Sequence, residues 1–116
     1  LSAVVGDFFQ DDLPDADLFA LGQILHDWSE AKIGLLLRRI FDRLPPGGGL
    51  LIAERLLYDD GVGPTPANMQ SINMLVCTEG RERTPSEYEA LLRTAGFTHV
   101  AWRRTGSPRD AVLAVK

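Results

Sequence analysis

The sequence predicts an α/β fold: a mostly parallel sheet flanked by helices and closed by a terminal antiparallel hairpin. Three observations carry this. Short apolar runs alternate with helical repeats. The helical repeats are bounded by proline, glycine and capping residues. The last two apolar runs are separated only by a turn around Gly106-Ser-Pro108, short enough for a hairpin. With 116 residues, 45% of them hydrophobic, the chain suffices for one domain with its own core. No repeat, low-complexity tract or long linker divides it, so residues 1–116 read as one unit.

Taken in order, Leu1 to Val5 reads as a short strand ending at Gly6, and Ala16 to Leu21 as a buried strand, although its Ala and Leu content also suits a helix. From Ser29 to Leu44 the apolar residues Ile33, Leu36, Leu37, Ile40, Phe41 and Leu44 recur at the helical period. Ser29 suits the N-cap, with Trp28 packing on Ile33 as a staple, and Pro45-Pro46 ends the helix. Leu50 to Ala53 is a short buried strand with Glu54 at its C-terminal end. Asp59 to Pro64 is a loop. Thr65-Pro66 then starts a helix carrying Met69, Ile72, Leu75 and Val76 that stops at Gly80. Thr84-Pro-Ser-Glu87 is a capping box for a helix whose inner face is Tyr88, Leu91, Leu92 and Ala95, ended by Gly96. Strands His99 to Thr105 and Ala111 to Val115 complete the chain.

The net charge of −4 and the absence of a basic block disfavour nucleic acid or an anionic membrane as partner. Arg38-Arg39 and Arg103-Arg104 read as solvated faces. Cys77 is the only cysteine, which predicts no internal disulfide and a reducing, cytoplasmic setting. No apolar run approaches the ~20 residues of a membrane span. Residue 1 is Leu, opening directly into an apolar segment, which predicts a piece of a longer protein.

Ligands of open α/β sheets sit beyond the C-terminal ends of the parallel strands, and Gly6-Asp7, the segment after Leu21, and Glu54 all fall at that rim. His26, in Leu25-His-Asp-Trp28, has the ordinary chemistry of a general base, although taken alone it reads first as a histidine satisfied by local backbone. Glu54 and Glu82 offer carboxylates to orient an imidazole. Taken alone, Glu54 also reads as a solvated strand end, and Glu82, in Glu79-Gly-Arg-Glu-Arg83, as surface. Gly6-Asp7-Phe8-Phe9 suits a nucleoside, through the Asp7 carboxylate and a stacking ring, or a plain turn before core aromatics. Asp11, Asp12, Asp15 and Asp17 match no calcium-loop spacing. Gly47-Gly48-Gly49 is a turn and not a dinucleotide fingerprint, and a third reading, a piece of a nucleotide-binding dehydrogenase, explains the sheet alone.

Taken together, Gly6-Asp-Phe-Phe9, Leu25-His-Asp-Trp28, Pro46-Gly-Gly-Gly-Leu50 and Gly80-Arg-Glu-Arg-Thr84 resemble the plant-type class I O-methyltransferases, in the family's order and near its spacing. Asn73-Met-Leu-Val76, Thr78-Glu-Gly80 and Asp110-Ala-Val-Leu-Ala114 are similar to its hydroxyindole branch. The resemblance runs over essentially the whole chain. It implies the C-terminal part of a Rossmann-like class I methyltransferase sheet, with S-adenosylmethionine as cofactor and no metal requirement. It further implies a small aromatic or indole hydroxyl as substrate, and a homodimer. His26 would deprotonate that hydroxyl, flanked by Glu54 and Glu82. Gly6, Asp7 and Phe8 match the adenosine-holding segment, and Asn73, with Met69 and Met74 near it, the substrate pocket. Two positions depart from the pattern: Gln23 stands where the family has Lys or Arg directed at the cofactor, and Cys77 where the hydroxyindole enzymes have Gln. Both leave room for a catalytically inactive relative serving assembly or ligand sensing. The family's dimerisation region and glycine-rich cofactor strand have no counterpart in these residues, so the chain alone is expected to bind cofactor weakly.

Overall fold

The computed structural model describes residues 2–116. Its elements run β1 (Leu18–Gly22), a short 3-10 turn (Leu25–Asp27), α1 (Glu30–Arg43), β2 (Gly49–Glu54), α2 (Thr65–Cys77), α3 (Pro85–Ala95), β3 (His99–Arg103) and β4 (Asp110–Val115). The strands form one mixed sheet in the order β1-β2-β4-β3. β1 and β2 are parallel, with Leu18 opposite Gly49 and Gly22 opposite Ala53. β4 is antiparallel to both β2 and β3.

The α/β class and the antiparallel hairpin match the sequence reading, but the hairpin does not simply add an edge. β4 inserts beside β2 and leaves β3 outermost, so among the described strands the single parallel ladder is in the minority. Composition explains the order. Asp-Ala-Val-Leu-Ala-Val in β4 suits an interior place, whereas His-Val-Ala-Trp-Arg in β3 carries polar groups that an edge tolerates.

Helices α1 and α3 cover one face of this sheet. Ile33, Leu36, Leu37 and Ile40 of α1 and Tyr88, Leu92 and Ala95 of α3 pack against Leu50 and Ile52 of β2 and Val112 and Ala114 of β4. Each of these side chains is at least 96% buried, and burying one large apolar side chain contributes about 1.5–3 kcal/mol. On the opposite face, Leu18 and Leu113 stand exposed.

Several local signals behave as the sequence implies. Thr84 accepts the Glu87 N–H and Glu87 accepts the Thr84 N–H, a complete capping box. Gly96 closes α3 at φ +116°, and a side-chain carbon there would lie 2.9 Å from the Phe41 ring. Other boundaries differ. Ser29 occupies the N-cap of α1 without a side-chain hydrogen bond, and Trp28 packs edge-on against Phe9 and Phe8. Helix α2 begins with Pro64 as its cap and stops at Cys77, short of Gly80, where Thr78 leaves the helix while its N–H and hydroxyl still reach Met74 O. The strand expected over Leu1 to Val5 does not form in its described part, residues 2–5; Leu1 lies outside the described residues. Val4 and Val5 are exposed, and β1 pairs with β2 alone among the described strands. Without a neighbour to share ladder hydrogen bonds, an apolar run has no reason to extend.

Candidate active site

The parallel pairing of β1 and β2 brings Gly22 and Glu54 to one rim of the sheet. Beyond Gly22 the backbone bends sharply: Gln23 takes φ +55°, and its N–H donates to Ala53 O at 3.1 Å. The 3-10 turn follows and carries His26. The Glu54 carboxylate receives this turn, since the N–H groups of Ile24 and Leu25 both donate to its Oε1, at 2.9 and 3.0 Å. Two otherwise unpaired donors at the start of a helical turn are thereby satisfied by a strand-end carboxylate.

Glu82 arrives from the loop between α2 and α3, where Ser71 Oγ accepts its N–H at 3.2 Å. His26 Nδ1 lies 2.8 Å from Glu82 Oε1 and 3.4 Å from Glu54 Oε2. His26 is 4% exposed and both glutamates 0%. This corrects the readings of Glu54 as a solvated strand end and Glu82 as surface: each carboxylate is withdrawn from water and faces the imidazole. An ionised carboxylate only accepts, so Nδ1 carries the proton toward Glu82 and Nε2 holds the free lone pair. Asp27 Oδ1 is 3.6 Å from Nε2, beyond a hydrogen bond. Ring nitrogen and both carboxylates are also metal-ligand types, and their ligand atoms lie within 4.8 Å of one another. The 2.8 Å contact is nevertheless a direct hydrogen bond; ligands sharing one tetrahedral ion at about 2.1 Å sit about 3.4 Å apart.

The electrostatics follow from burial and charge. Burial alone would lower the His26 pKa, but the hydrogen bond with Glu82 and the charges of Glu54, Glu82 and Asp27 together raise it above 6.5. Burial pushes the Glu54 carboxyl up to about 7, against the pull of His26 and its two backbone donors. Beneath them Tyr88 is fully buried, its hydroxyl pushed well above its ordinary range by burial and then by the charge of Glu54. The triad is therefore a proton-accepting group whose imidazolium form is favoured by the charge around it.

The remaining candidates fall in three places. Gly6, Asp7 and Phe8 stand beside the 3-10 turn, joined to it by the rings of Phe8 and Phe9 against Trp28 at 6.2 and 5.0 Å. Phe8 is thus partly occupied as a packing aromatic. Asp7 is exposed and accepts from Phe9 N and Gln10 Nε2. Gln23 lies at the rim and accepts from Arg109 Nη2. On α2 the substrate-pocket candidates do not converge. Met69, Asn73 and Cys77, four residues apart, share an exposed stripe, and Cys77 Sγ donates to Asn73 Oδ1 at 3.6 Å. Met74 is turned about 100° away and buried.

Two contributors escape a reading of the sequence. Ser71 sits amid helix-forming residues with nothing to mark it. Arg83 is fully buried, although Gly80-Arg-Glu-Arg83 has the composition of a solvated loop. A buried glutamate needing a nearby cation is the one signal that could have found it.

A protein-family model described as O-methyltransferase domain matches residues 1–98. Acetylserotonin O-methyltransferase from Bos taurus is 57% identical over 96% of this chain and 32% of its own length. The probable bifunctional dTTP/UTP pyrophosphatase/methyltransferase protein from Homo sapiens is 48% identical over 96% of this chain and 18% of its own. The crystal structure of human N-acetylserotonin methyltransferase in complex with SAM superposes with a TM-score of 0.94 at 50% identity, over 96% of this chain and 32% of that one. The chain spans about a third of the length of the acetylserotonin relatives.

Proposed function

Because the chain belongs to the O-methyltransferase domain family, we propose that it works as the C-terminal part of a domain that methylates a small hydroxylated aromatic or hydroxyindole acceptor. His26 is the general base in this reading. The observation that carries it is the 2.8 Å contact between His26 Nδ1 and Glu82, which leaves Nε2 as the proton acceptor at the ligand rim. When bound, S-adenosylmethionine supplies the methyl group on a positively charged sulfur. The residues here fit one side of such a cofactor. Asp7 is exposed and keeps acceptor capacity beyond its two local hydrogen bonds, and Gln23 keeps an amide donor free among the described residues.

The rest is positioning and proton handling by this chain. Nε2 takes the acceptor's hydroxyl proton. Glu82, hydrogen-bonded to Nδ1, and Glu54 then stabilise the imidazolium that forms. Glu54 also fixes the turn through its two backbone donors, so loss of its carboxylate disturbs both alignment and charge. The same proposal takes the acceptor side to be the exposed α2 stripe of Met69, Asn73 and Cys77, with Met74 supporting it from within. It extends to a homodimer in the cytoplasm, as the family resemblance implies; the single thiol, free and exposed, suits a reducing compartment.

The test is transfer of a labelled methyl group by the complete domain to a panel of phenols and hydroxyindoles. His26→Ala is expected to lower the rate by about 10²–10⁴-fold with cofactor binding retained. A His26→Ala protein that transfers at the parent rate removes the base assignment. Cofactor binding without transfer to any acceptor supports the alternative, a catalytically inactive assembly or ligand-sensing module.

A further inference from the structure

The loop that delivers Glu82 touches the His26 turn at more than one point. At Gly80, an added side-chain carbon would lie 2.1 Å from His26 O and 2.7 Å from both Asp27 C and Trp28 N. The loop backbone therefore lies directly on the main chain of the turn, and only glycine permits the approach. Arg81 ties the loop to α1 and α3 through Glu30 and Glu87, at 3.1 and 2.7 Å. Arg83, 1% exposed, donates from Nη1 to Leu25 O at 3.3 Å and to Arg81 O at 3.0 Å, and from Nη2 to Trp28 O at 3.3 Å.

We infer that Arg83 is a positioning residue for His26: one guanidinium bridges the two carbonyls that bracket the turn, and so sets where the imidazole stands against Glu82. The inference rests on the reading of His26 as base. Leu25 O and Trp28 O lie on either side of His26 and Asp27 in sequence, and a planar fork is the one side chain that donates to both at a fixed spacing. Its charge also matters. Glu54 and Glu82 place two carboxylates in a dry interior, Asp27 and Tyr88 flank them, and Arg83 is the permanent cation of the group. Among the described residues no carboxylate holds this guanidinium directly; its hydrogen bonds go to main-chain oxygens. An arginine serving only to neutralise charge would instead be forked onto a carboxylate.

The experiment reads the imidazole itself. In the 116-residue chain, nitrogen NMR of His26 is expected to show a single tautomer protonated at Nδ1. In Arg83→Met, which keeps volume and removes both the fork and the charge, a mixture of tautomers is expected and the Nδ1 proton loses its protection from exchange. Arg83→Lys keeps the charge but is able to hold only one carbonyl at a time, and is expected to fall between the two. In the complete domain, kcat is expected to drop about 10²-fold in Arg83→Met with the cofactor KM unchanged, the cost of a misplacement near 1 Å. A folded Arg83→Met protein with one tautomer and parent kcat overturns the inference. Should Arg83→Met fail to fold, Arg83→Lys decides: parent tautomer and parent kcat in that variant overturn it equally. Because the tautomer is read without turnover, a domain that transfers no methyl group defeats the proposed function and leaves this result standing.

Discussion

At the scale of single residues, the site is a histidine whose protonation is set by two carboxylates, and its pH response has a definite sign. The proposed base acts unprotonated, so in that role His26 predicts a kcat of the complete domain that rises with pH along a limb centred above 6.5, the ordinary histidine value, because its pKa is raised. In Glu82→Gln the charge that helps raise it is lost and Nδ1 keeps only a neutral amide partner, while burial remains. The limb should then move to lower pH, with at least a tenfold loss in plateau rate; a pH–rate series from 5 to 9 measures both. A limb unmoved by this change would mean that Glu82 does not govern the base. His26 could be picked out from sequence because it follows a strand and precedes a helix cap. The burial of its partners could not. Glu82 lies 56 residues away, and flanking Arg81 and Arg83 give its loop the look of a solvated segment. Only packing of that loop on the turn brings Glu82 and Arg83 inward, while Arg81 stays partly exposed.

Elements follow local rules where the determinants are local. The capping box at α3 was legible because Thr84 and Glu87 are three residues apart and satisfy each other's backbone donors. Thr84→Ala should cost about 1 kcal/mol and lower the thermal midpoint by about 5 °C, checked by calorimetry; an unchanged midpoint would show that packing alone holds the helix start. The end of α2 and the place of β4 were not legible in this way. Nothing within the helix itself marks Cys77 as its last residue. The insertion of β4 between β2 and β3 depends on which of two adjacent strands better fills an interior slot, which is a property of the sheet and not of either strand.

For the molecule as a whole, two groups at the site that titrate below the tyrosine range bind protons more tightly folded than unfolded. Glu54 rises from 4.5 to about 7, and His26 rises from 6.5. A raised carboxyl contributes stability fully below its unfolded value, and that contribution is lost as pH climbs through its folded value; the histidine acts in the same direction at higher pH. The depressed carboxyls Asp59 and Glu87 act oppositely, at lower pH. Thermal unfolding of the chain against pH, compared with Glu54→Gln, should isolate the Glu54 share. Between pH 4.5 and about 7 the parent should lose stability relative to the variant, with up to about one proton of linkage. Parallel curves would mean that Glu54 titrates normally. The two-layer arrangement of sheet and helices was legible from alternating periods, whereas the conversion of a strand-end carboxylate into a buried group was not, since it requires the loop of Glu82 and the core tyrosine to close over it.

Among the described strands β1 is joined to the sheet along a single ladder, and the segment bearing the imidazole hangs from its exit. The strand that sets the direction of the imidazole is thus one of the two edge strands described. Glu54 ends β2 and His26 follows β1, so the register between these two strands fixes how far the imidazole stands from that carboxylate, whereas the hydrocarbon interior beneath α1 and α3 is built mainly on β2 and β4.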